Sequence, residues 1–84
     1  MSYRLEILPA AVKEYQHVPG THKEAVKKAI LGLERSPRGF QVKKLQGREY
    51  YRLRVGDWRV IFAISDPRRL VTVIAVKRRT STIY

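Results

Sequence analysis

The chain has 84 residues, 44% of them hydrophobic, and 18 Lys and Arg against seven Asp and Glu give it a net charge of +11. That length holds one core and is read as a single domain over residues 1–84; the apolar content argues against disorder, and no apolar run nears the ~18 residues that span a bilayer. With no cysteine there is no disulfide, thiolate metal site or thiol nucleophile, and "MSYRLEILPA" lacks the pattern of a signal peptide, so the expected location is the cytoplasm, away from membranes.

The first segment, "SYRLEIL", alternates Tyr3, Leu5 and Ile7 with Arg4 and Glu6 and reads as a strand. Pro9 suits the first turn of a helix, where a missing N–H costs nothing. Ala11, Val12, Tyr15 and Val18 fall on one face of that helix, and "VPG" ends it. A second helix is expected to open at Thr21, with Thr21 and Glu24 at the spacing of a capping box. Val26, Ala29, Ile30 and Leu33 form its apolar stripe before "SPRG" stops it. Residues 38–49 read as a loop or irregular edge. Three strands follow, over 50–55, 58–65 and 69–77, the last two apolar on nearly every residue. The order β-α-α-β-β-β predicts an α+β domain: a small antiparallel sheet with an N-terminal helical hairpin on one face.

Gly56 and Asp57 form a plausible two-residue turn between the first two of these strands. Counting outwards places Val55 opposite Trp58, Arg54 opposite Arg59, Leu53 opposite Val60 and Arg52 opposite Ile61. Directly opposed residues share a face, as do residues two apart. Arg52, Arg54 and Arg59 therefore point one way, and Tyr51, Leu53, Val55, Trp58, Val60, Phe62 and Ile64 point towards the helices. The apolar set is a core. The arginine set carries a like-charge penalty that folding does not explain. Two readings stand: a solvated face whose side chains spread apart, or a phosphate site, since the guanidinium fork binds phosphate oxygens bidentately.

The charge is uneven, +3 over residues 1–42 and +8 over residues 43–84. Solubility asks for only roughly 2–8 on a small domain, so the surplus points to a polyanionic partner, nucleic acid foremost. Lys43, Lys44, Arg48, Lys77 and Arg79 are the candidates for holding such a backbone. Tyr84, at the end of "VKRRTSTIY", either stacks on a base or closes an edge of the core. His17 and His22 flank the break between the helices and are assigned surface or capping roles. There is no paired-carboxylate site, P-loop or H-E-x-x-H motif, and no metal or cofactor is expected.

"SPRG…KLQG…YYRLRVGDWRVIFAI" followed by "VIAVKRRTSTIY" resembles the RelE-like toxins of bacterial type II toxin–antitoxin systems, within the RelE/ParE superfamily. The resemblance covers the whole chain and is most specific over residues 43–64 and the basic tail. It implies a metal-independent endoribonuclease that cuts messenger RNA in the ribosomal A site and is silenced by a cognate antitoxin, through which alone it would meet operator DNA. It also implies site residues. Arg52 and Arg54 match two basic positions on the family's second strand, the former often given a base-like role. Arg59 matches the arginine that stabilises the charged phosphate, Arg78 the group proposed to assist the leaving oxygen, and Tyr84 a tyrosine that orients or stacks the substrate.

Two departures qualify the match. The best-known members carry lysines where this chain has Arg52 and Arg54, and arginine stays protonated at neutral pH, so Arg52 is expected to stabilise charge rather than accept a proton. The chain also stops at Tyr84, where many relatives continue into a helix that offers the antitoxin a further surface. Two alternatives remain: the ParE branch, which poisons DNA gyrase, and a non-enzymatic basic RNA-binding module.

Overall fold

Residues 2–39, 41–45 and 49–78 are described by a computed structural model of the chain. Strand β1 (Arg4–Ile7) leads into helix α1 (Pro9–Gln16), whose first residue is the expected proline. The extended residue before it, Leu8, donates its N–H to the Val73 carbonyl at 3.0 Å, which ties the helix start to the sheet. Ala11 and Val18 are buried and Tyr15 half-buried, whereas Val12 is exposed.

Helix α2 (Gly20–Gly32) buries Val26 and Ile30, with Leu33 as its buried C-cap. Its start corrects the expected capping box. The helix opens one residue earlier than expected, and Pro19 is the N-cap, with no side-chain hydrogen bond at the cap. The Pro19 carbonyl accepts the N–H groups of His22 and Lys23, both at 2.9 Å. Thr21 is thus already inside the first turn, past the N-cap position from which a hydroxyl accepts the orphan amides that follow it.

The remaining strands are β2 (Val42–Lys44), β3 (Tyr50–Val55), β4 (Trp58–Ser65) and β5 (Leu70–Arg78), in the sheet order β1-β5-β4-β3-β2. The α+β class and the helical hairpin are as expected, but the sheet is mixed, because β1 runs parallel to β5 with Arg4 beside Leu70 and Ile7 beside Val73. It also has one more strand than expected. β2 lies in the segment read as loop or edge and exists through its pairing with β3, Val42 beside Leu53 and Lys43 beside Arg52. Its two lysines discourage further pairing at that edge.

The hairpin register is the expected one from Val55–Trp58 to Arg52–Ile61, and it continues through Tyr51–Phe62 to Tyr50–Ala63. Gly56 has φ of +56°, while Asp57 has a negative φ, the pattern of a type II′ turn. The helices and one face of the sheet enclose the core, in which Phe62, Leu33, Val26, Val60, Val71 and Val73 are the largest fully buried side chains.

One irregularity decides which side chains share a face. Ile61 pairs with Ala75 but Phe62 pairs with Val73, so Ile74 is an extra residue, a β-bulge in β5. A bulge shifts the alternation by one residue, which moves every later side chain to the opposite face. Val71 and Val73 face the helices before it; Val76 does so after it.

Candidate nucleic-acid interface

On the sheet face turned away from the helices, two rows of side chains cross the strands. One runs Lys43, Arg52, Ile61, Ala75; the next runs Arg54, Arg59, Lys77. Directly opposed Cβ atoms on antiparallel strands lie about 4.5–5.5 Å apart. Five cations therefore stand on one patch, with repulsion of order 1 kcal/mol per adjacent pair even under water-like screening. Arg54 is exposed; Arg52, Arg59 and Lys77 are half-buried, and the Nε atoms of Arg52 and Arg59 are inaccessible to solvent. The arginine stems are thus held against the sheet, on the face that carries all five charges. Gln41, Lys43, Arg52 and Arg54 line a shallow depression of about 190 Å³ at one end of the patch. The chemistry of such a surface suits an anion with several oxygens.

The bulge at Ile74 sets the contribution of β5. Strict alternation from Val73 would have sent Lys77 to the helix side and Arg78 to the arginine side. Instead Lys77 stands beside Arg59, and Arg78 pairs with Trp58, its guanidinium carbon 5.3 Å from the centre of the Trp58 ring. The structure thus brings together Arg52, Arg54 and Arg59 with Lys43 and Lys77, and sets Arg78 apart from them. Lys44 pairs with Tyr51 and so lies on the opposite side from Lys43. Arg48, Arg79 and Tyr84 lie outside the described residues.

Beyond the end of β1, the outer edge of β5 is met by a residue that the sequence reading did not single out. Glu14, on α1, accepts the Val76 N–H at 2.9 Å through Oε1 and forms an ion pair with the Lys77 ammonium through Oε2. One carboxylate thus satisfies an edge amide and anchors a cation of the patch. No local signal marks Glu14, which is 62 residues from Val76.

The two histidines keep to the helix side. His17 forms a hydrogen bond with the Lys13 carbonyl at 2.8 Å, and His22 Nδ1 accepts the Trp58 indole N–H at 3.2 Å. At the other end of the domain, Arg38 donates two hydrogen bonds to Asp66, at 3.1 and 2.9 Å, and the Tyr3 hydroxyl donates a third at 2.5 Å. These contacts hold the Asp66 carboxyl below its usual range, Arg38 first and Tyr3 second, and Asp66 in turn raises Arg38. The cluster joins the segment after α2 to the β4–β5 turn and stands apart from the cationic rows.

The chain has known relatives in both sequence and fold. The sequence model of a family described as the ParE toxin of type II toxin-antitoxin system, parDE, matches residues 5–82. The chain is 33% identical to the mRNA interferase toxin RelE of Escherichia coli, over 100% of this chain and 92% of that protein. Among solved structures it resembles a chain of the archaeal RelE-RelB complex from Pyrococcus horikoshii, with 31% identity and a TM-score of 0.82 over 98% of this chain and 100% of that one. It also resembles a chain of the intact E. coli RelBE toxin-antitoxin complex, with 30% identity and a TM-score of 0.77 over 92% and 96% of the two chains.

Proposed function

The chain belongs to the RelE/ParE superfamily of type II toxins, and from that premise we propose that it cuts messenger RNA on the ribosome and is silenced by a cognate antitoxin. The relatives' activity supports the first half and their complexes with RelB the second. In this chain the carrying observation is the Arg54–Arg59 pair, flanked by Arg52, Lys43 and Lys77 on the sheet face away from the helices.

The reaction is attack of a ribose 2′-oxygen on the adjacent phosphorus. A new O–P bond forms as the bond to the 5′-oxygen breaks, leaving a 2′,3′-cyclic phosphate and a 5′-hydroxyl. The 2′-hydroxyl gives up one proton and the leaving oxygen takes one up. Arg54 and Arg59 stabilise the charge that builds on the phosphorane, the contribution that fixed donors make best in a site shielded from water. Arg52 adds to that charge, because a guanidinium does not accept a proton at neutral pH; water or ribosomal RNA takes it. Lys43 and Lys77 grip the backbone from the same face, and Lys44, Arg48 and Arg79 add to the positive charge that attracts it. Arg78 assists the leaving oxygen after turning away from Trp58 around the end of β5, and Tyr84 orients the substrate.

This chemistry requires no metal, and among the described residues no three His, Asp or Glu side chains gather as a metal site needs. Among those residues no helix is long and apolar enough to cross a membrane. The experiment is single-turnover cleavage of a message bound to ribosomes against the same message free in solution. Cutting confined to the ribosome-bound message, and retained by chelator-treated protein once ribosomal magnesium is restored, supports the reading. Efficient cutting of the free message, or none of either, overturns it. The ParE-type family match favours one second reading, gyrase poisoning; arrested supercoiling by purified gyrase with the message left intact would establish it instead.

A further inference from the structure

The cationic rows continue into a third, uncharged position on the same face. Tyr50 opens β3 and precedes Arg52 and Arg54 at the two-residue interval that puts all three on one side of the sheet. Its neighbour across the strands is Ala63, and beyond that Thr72. Both are small, so the phenol stands above a low floor. Tyr50 is 39% exposed.

The other described tyrosines are each engaged through the ring. Tyr3 lies under Arg69 and Tyr15 under Lys23, while Tyr51 stacks on Phe62 with Arg38 above it. Among the described residues, Tyr50 has no such ring partner. Tyr50 thus leaves part of an aromatic side chain open to solvent with no ring partner to cover it. A ring open to solvent beside a line of cations is what single-stranded nucleic acid requires, because every base has a face to stack and every nucleotide a phosphate to neutralise.

We propose that Tyr50 is a base-stacking platform for the RNA, receiving a base that flanks the cleaved bond while Arg52 holds a phosphate of the same strand. The proposal rests on the ribonuclease reading above and adds a subsite to it. Strand geometry sets the spacing: Tyr50 lies about 7 Å from Arg52 and about 13 Å from Arg54 along β3. The stacked base therefore belongs to a neighbour of the attacked nucleotide. The carboxylate in the same cross-strand row, Glu6, is three strands away, about 14 Å, and leaves the approach cationic. Stacking tolerates any base and varies modestly in strength with the base, so Tyr50 sets at most a mild preference at one flanking position.

The test is single-turnover cleavage of ribosome-bound message by wild type, Tyr50→Phe, Tyr50→Leu and Tyr50→Ala. Each position flanking the cut is replaced in turn by an abasic nucleotide, and melting curves are recorded for every variant. Tyr50→Phe should cleave like wild type, and Leu and Ala should lose about five- to a hundredfold with melting temperature unchanged. At one flanking position the abasic message should slow wild type to the level of Tyr50→Ala and slow Tyr50→Ala no further. Leu and Ala variants that cleave like wild type overturn the proposal, as do losses that multiply at every position. Those outcomes leave the ribonuclease reading intact, whereas wild type that cuts no message removes both. Full cleavage by Tyr50→Ala with loss of antitoxin affinity would assign the ring to a protein contact instead, and also overturns the proposal.

Discussion

Arg54 and Arg59 stand directly opposite each other across the β3–β4 hairpin, with only the four residues Val55, Gly56, Asp57 and Trp58 between them in the chain. A tight turn therefore fixes two guanidinium groups as cross-strand neighbours, without help from distant parts of the chain. Replacing either with alanine should lower ribosome-dependent cleavage at least about tenfold, or ~1.4 kcal/mol of transition-state stabilisation. Relief of the like-charge contact should leave stability unchanged or slightly higher. Single-turnover rates beside melting curves check both, and cleavage at the wild-type rate by both variants would reduce the pair to surface.

Glu14 should matter more for stability than an exposed helix residue ordinarily does. Glu14→Leu leaves the Val76 amide without its acceptor and removes the Glu14–Lys77 ion pair, at an expected cost of about 1–2 kcal/mol. Glu14→Gln keeps an amide oxygen for Val76 and should cost markedly less. Urea unfolding of the two variants distinguishes them; equal losses would show that the ion pair, not the edge hydrogen bond, carries the effect.

Asp66 gives the stability a dependence on acid. Its carboxyl is held below the ordinary value by Arg38 first and the Tyr3 hydroxyl second. A depressed folded-state value contributes stability that is present above the unfolded carboxylate range, near pH 4, and fades as pH falls through the folded value. The stability difference between wild type and Asp66→Asn should therefore shrink as pH drops below about 4. Because the group is exposed, the difference at neutral pH should be small. Arg38→Ala should return the Asp66 carboxyl towards its ordinary range, which a side-chain NMR titration reads directly.

The antitoxin proposed above should be acidic where it covers the toxin. A net charge of +11 attracts such a partner, and salt screens that attraction without touching apolar burial. Affinity for the product of the neighbouring gene should fall as salt rises, mainly through slower association. An affinity independent of salt would mean that the cationic rows stay outside the interface.

The sequence disclosed the helical hairpin and the full hairpin register because both follow from local chemistry. Pro9 and "VPG" bound α1, and Gly56 fixes the turn from which every β3–β4 pair is counted. β2 was hidden because three residues, two of them lysines, are too few to show an alternation; its partner strand creates it. The side assigned to β5's cations was hidden for another reason. Residues 73–76, "VIAV", are apolar throughout, so the change of phase at Ile74 leaves no polar residue out of place. Only the register distinguishes Lys77 beside Arg59 from Arg78 over Trp58. Glu14 was illegible because its partners are distant in sequence.

The parallel pairing of β1 with β5 also governs when the protein comes into being. Arg4 cannot find Leu70 until that residue has been synthesised, and at about 5–20 residues per second the first strand waits roughly 3–13 s for its partner. During that interval α1 and α2 lack much of the sheet they cover, since Val71, Val73 and Val76 all arrive last. Native topology of this kind discourages early folding, because distant contacts must be closed before they stabilise anything. A nascent chain stalled before residue 70 should accordingly be cut throughout by protease, and one released at full length should resist. Among the described strands β5 is synthesised last, and its arrival completes the core that α1 and α2 cover.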